Sequence, residues 1–151
     1  MPIALALHVL SAVIWVGGMF FAYMCLRPVA GQLLEPPVRL QLWRQVFNKF
    51  FVWVTLAVAV LLITGLWMIF AVYGGMGNVR SYIHTMLLLG VIMMAIYGHV
   101  FFVPYQRLGR AVMAENWPEG GKQLGVIRKL IAINMSLGLL VVVIASAGRY
   151  L

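Results

Sequence analysis

The chain has 151 residues, 64% of them hydrophobic and 9% charged, with a mean hydropathy of +1.02 and a formal net charge of +8. That composition excludes a water-soluble globular domain, whose apolar share is nearer half, and points to a single domain over residues 1–151 built inside a bilayer. The eleven Lys and Arg residues sit between long apolar runs, where they serve as topology signals and lipid-headgroup contacts rather than as a nucleic-acid surface.

Apolar runs long enough to cross a bilayer, at about 20 residues each, occupy roughly 3–26, 50–73, 82–104 and 130–148. They predict an all-α integral membrane protein, a four-transmembrane-helix bundle of up-down-up-down topology. The first span lacks the basic region and small-residue cleavage site of a signal peptide, and reads as retained. It carries His8, Ser11, Trp15, Gly17, Gly18 and the lone cysteine, Cys25, which has no disulfide partner within the chain. After it come Arg27, Pro36-Pro37 and the stretch VRLQLWRQVFNKFF, whose mixture of apolar residues with Arg39, Arg44 and Lys49 predicts a short interfacial helix. The second span holds Thr64-Gly65, and the turn GGMGNVRS leads through Arg80 into the third, which opens on Tyr82 and His84 and carries His99 near its end. Arg107, Arg110, Lys122, Arg128 and Lys129 follow, with NWPEGG reading as a break before an interfacial entry into the fourth span. Nine of the eleven positive charges thus share one side, and only Arg80 and Arg149 lie on the other. The positive-inside rule then places both termini outside and the two longer, basic loops in the cytoplasm.

All three histidines lie within predicted spans, where ionisable groups are costly and by default functional. His8 and His84 open spans that run in the same direction, so both belong to the outer leaflet. In a four-helix bundle the first and third helices are diagonal neighbours, and two inward side chains at one depth face each other across the core. With bonds of about 2 Å to each imidazole, the pair fits a planar iron porphyrin set edge-on, a bis-histidine haem b with His8 and His84 as metal ligands. Ser11 and Trp15 fall near the His8 face. Gly18 and Gly65 remove side chains where a cofactor or helix comes close. Arg80, Tyr82 and Arg149 are the available partners for haem propionates, although both arginines also read as snorkelling to the interface. A fully ligated iron favours electron transfer or oxidoreduction over oxygen activation, with a quinone as a candidate acceptor.

A copper ion taken by His8, His84 and neighbouring methionines is the alternative, since thioethers favour Cu(I). The ten methionines form no continuous stripe, however, and read better as core filler. His99 follows His84 by fifteen residues, about 22 Å along a helix, so it cannot share their ligand. It marks a candidate second site with Tyr105 and Arg107, for a quinone head group, a proton or a metal. The plain alternative is a helix-end histidine bonded to a backbone carbonyl. Membrane lipids are the certain partners, and a homo-oligomer through small-residue faces, such as Gly138 and Ala145, is an open expectation.

The segment HVLSAVIWVGGMFFAYMCLRP resembles the first helix of the CopD-like membrane family, the copper resistance protein D domain, in its H-x6-W-x-G-G pattern and the Arg-Pro after the span. The order of His8, Trp15, His84, Tyr97 with His99, and Glu115-Asn116-Trp117-Pro118 is also similar to the HemJ family of bacterial protoporphyrinogen oxidases. That family carries a lysine where His84 stands, and its Asn-Glu-x-Pro turn is reversed and altered in this chain. The first resemblance implies copper uptake across a bacterial-type inner membrane, whose periplasmic side is then the one on which the positive-inside rule places both termini. The second implies a haem site and, as a third functional reading, protoporphyrinogen oxidation.

Overall fold

The computed structural model describes residues 1–151, arranged as four long helical rods without any strand. The first rod starts with α1 (Pro2–Phe20) and passes through a π turn, Phe21–Leu26, into α2 (Arg27–Leu33). Pro28 cannot donate to the carbonyl four residues back, and the helical ladder widens just before it. The second rod, α3 (Pro36–Trp67), continues through another π turn to Val72. No Gly or Pro interrupts residues 38–64, so the stretch expected to form a separate interfacial helix is simply the first part of α3. It earns its place in the rod through Leu40, Trp43, Phe47 and Phe51, buried at helical spacing.

The third rod, α4 (Ser81–Phe102), ends at Val103, whose φ of −116° and ψ of −82° reflect the exclusion of helical backbone ahead of Pro104. A short amphipathic helix, α5 (Pro104–Met113), follows, burying Pro104, Leu108, Ala111 and Val112 and exposing Arg107 and Arg110. The interfacial helix of the bundle is therefore here rather than at residues 38–51. The last rod, α6 (Trp117–Ala147), closes with a 3-10 turn, Gly148–Tyr150. The expected break at Pro118 and Gly120-Gly121 does not occur. Asn116 Oδ1 accepts from the Glu119 N–H at 3.3 Å, Pro118 sits in the first turn where no donor is needed, and buried Gly120 admits Leu40.

α1 packs on α3 and α4 on α6, while α6 also touches α1 and α3. The core they share includes Trp15, Val16, Met19, Phe47, Phe51, Val54, Met93, Val100, Ile127 and Met135. Outward faces present Val9, Val13, Ile63, Phe70 and Val143, as a lipid environment requires. Lipid tails are as apolar as leucine, so close packing rather than apolar burial must hold such helices together. A Cβ at Gly18 would overlap the Phe50 ring, and one at Gly138 would lie 2.8 Å from Val16 Cγ2 and 3.1 Å from Met93 Cε. Both termini and the turn at 73–80, which needs Gly74 and Gly75 at φ of 79° and 118°, lie at one end of the bundle, the terminal end. The connection at 34–35 and α5 lie at the other, the basic end.

Candidate functional site

His8 lies two turns into α1, half-buried, on the face that packs against α3. Thr64, buried on α3, stands 2.8 Å from His8 Nδ1. The direction of that hydrogen bond follows from the threonine's single proton. Assigning the Thr64 Oγ1 proton to its shortest carbonyl partner, Val60 at 2.6 Å one turn back in its own helix, makes the hydroxyl the acceptor from the imidazole. His8 therefore carries its proton on Nδ1, and in the neutral ring Nε2 holds the unshared pair. A hydroxyl that holds one ring nitrogen and leaves the other free is the usual preparation of a histidine for a metal. Gly65 completes the seat, because a Cβ there would come within 3.2 Å of His8 Cε1. Met68, one turn further toward the terminal end, is also buried.

His84 is held differently. It is exposed on α4, makes no side-chain hydrogen bond, and belongs to the α4–α6 pair rather than to the α1–α3 pair that seats His8. The residues expected to meet haem propionates join α4 to α6 instead: Arg80 Nη1 donates to the Arg149 carbonyl at 3.2 Å, and Tyr82 packs where a Gly148 Cβ would stand, 2.8 Å from its own Cβ. The Arg149 guanidinium stacks over Tyr150, 5.0 Å from the ring centre. Gly18 makes room for Phe50 rather than for a cofactor, Ser11 is buried within α1, and Trp15 meets Tyr97 edge-on at 6.2 Å. Neither principal cavity is lined by His8 or His84. His8 is seated against α3 and His84 is exposed on α4, and the haem readings, protoporphyrinogen oxidation among them, gain no support from this arrangement.

Nor do His99, Tyr105 and Arg107 converge. His99 and Arg107 are exposed, whereas Tyr105 turns into an aromatic cluster with Phe51 at 5.0 Å, Phe47 at 6.3 Å and Phe101 at 5.9 Å. No group of three or more His, Cys, Asp or Glu side chains gathers anywhere in the chain.

Two polar residues escaped the sequence reading. In the sequence Thr64 stands out only as the neighbour of Gly65. Asn134, 4% exposed in the middle of α6, donates from Nδ2 to the Met93 carbonyl at 3.2 Å and buries Oδ1 without a partner. Both are lone polar residues inside apolar runs, and that was the available signal.

A family model described as copper resistance protein D matches residues 44–147. Thr64, Gly65, Met68 and His84 fall inside that stretch, and His8 precedes it. No curated protein and no solved structure matches the chain.

Proposed function

This chain belongs to the copper resistance protein D family, and from that premise we propose that it is a copper-handling membrane protein which takes a copper ion at its terminal end, with His8 Nε2 as the leading ligand. The observation that carries the reading is the 2.8 Å hydrogen bond between His8 Nδ1 and the Thr64 hydroxyl, which engages one ring nitrogen and leaves Nε2 for a metal. Imidazole and thioether are both suited to copper. Met68, four residues beyond Thr64 in the π turn that continues α3, is a buried thioether toward the same end. His84, exposed at the same end of α4, offers a second imidazole to an arriving ion. Copper is the cargo in this account. The positive-inside rule makes the terminal end periplasmic, so the ion arrives from outside a bacterial-type inner membrane.

The test is copper binding by the detergent-purified protein under reducing conditions, in competition with a chromogenic Cu(I) chelator. His8→Ala should weaken binding at least about tenfold, as expected for loss of a ligand whose orienting partners alone are worth that much, while His99→Ala leaves it unchanged. Equal affinity in the wild type and His8→Ala defeats the proposal. So does a purified protein that carries iron and a Soret band in place of copper.

A further inference from the structure

The basic end holds the larger cavity, of about 380 Å³, between the end of the first rod, the start of α3 and the start of α6. Three arginines line it, Arg27, Arg39 and Arg128, and none of the chain's three acidic residues does. Arg27 is fixed in place: its Nε donates to the Tyr23 carbonyl at 3.2 Å and its guanidinium lies 4.4 Å from the Tyr23 ring centre. Its terminal N–H groups remain to donate elsewhere. Arg39 Nη1 reaches the Gly31 carbonyl at 3.5 Å, a weak contact that leaves its donors largely unspent. α3 and α6 both begin at the cavity rim, at Pro36 and Trp117, so the partial positive ends of two long helices add to the field. Behind the arginines the wall turns apolar, with Trp43, Phe47 and Ile131. Space is real on the α6 side, where a Cβ at Gly125 would meet nothing within 4 Å.

Three guanidiniums without a carboxylate, above an apolar wall, form a site for an anion with an apolar body. Arginine binds phosphate oxygens in pairs, and basic pockets between membrane helices on the cytoplasmic side suit phospholipid head groups. We infer that this cavity binds a phosphate group, with Arg27, Arg39 and Arg128 as its ligands. The phosphate is that of an anionic membrane phospholipid or of a free, soluble phosphate.

Thermal unfolding of the delipidated full chain in neutral detergent decides the matter, with phosphatidylglycerol, phosphatidylcholine or inorganic phosphate added in turn. The expected result is a rise in Tm with phosphatidylglycerol that phosphatidylcholine does not match, abolished in both Arg27→Gln/Arg128→Gln and Gly125→Leu. The second variant keeps every charge and fills the space, so it separates a built site from general attraction to an anionic micelle, and it replaces a helical glycine with a better helix former. A rise with inorganic phosphate equal to that with phosphatidylglycerol supports the site and assigns it to the soluble anion. Equal shifts with phosphatidylglycerol and phosphatidylcholine, or a phosphatidylglycerol shift that survives in either variant, overturn it.

Discussion

At the scale of single residues, the account turns on which proton sits where. With its only proton assigned to Val60, Thr64 accepts from His8. Thr64→Val keeps the shape and removes the acceptor, freeing the ring to rotate and to change tautomer. Copper affinity should fall about 10–100-fold, the range for loss of a hydrogen-bond partner behind a metal ligand. Thr64→Ser, which keeps the hydroxyl, should restore most of it; chelator competition checks both. Gly65→Ala should also weaken binding, by less, because its Cβ would lie 3.2 Å from the His8 ring. The histidine itself was legible in the sequence, since an imidazole in an uncharged run is conspicuous. Its partner was not. Spacing along α1 shows that His8 and Trp15 share a face but not which neighbours that face meets, Thr64 of α3 for one and Tyr97 of α4 for the other.

The elements divide along the same line. Four apolar runs announced four spans, and their lengths alone were enough. What escaped was where each rod stops: α3 runs on from residue 36 because nothing between 38 and 64 can break it, and Pro104 bends the chain into α5, whose apolar residues 104, 108, 111 and 112 lie on one face only once the helix has been restarted. Glycines were equally ambiguous, and here the fold makes a sharp prediction. Gly138→Leu forces a side chain against Val16 and Met93 and should lower stability by about 1–3 kcal/mol, as overpacking does. Gly90→Ala meets nothing within 4 Å and should stabilise α4 by about 0.5–1 kcal/mol. Chemical or thermal unfolding in detergent, compared at equal lipid content, measures both.

For the whole molecule, the distribution of positive charge predicts a direction across the membrane. With Cys25→Ser as background, a cysteine at Gly77 should react with a membrane-impermeant thiol reagent added to intact cells, and one at Asn116 only after the cells are opened. Orientation matters because it decides from which side the His8 end receives its ion. The two ends have different chemistry: an imidazole seated on a threonine at the terminal end, and a cationic cavity at the basic end. Copper K-edge X-ray absorption on the loaded protein tests whether the His8 imidazole binds copper. The account predicts an imidazole nitrogen at about 2 Å from the metal together with its outer-shell ring scattering, both lost in His8→Ala. An unchanged spectrum in that variant, or a copper shell without imidazole in the wild type, would contradict it.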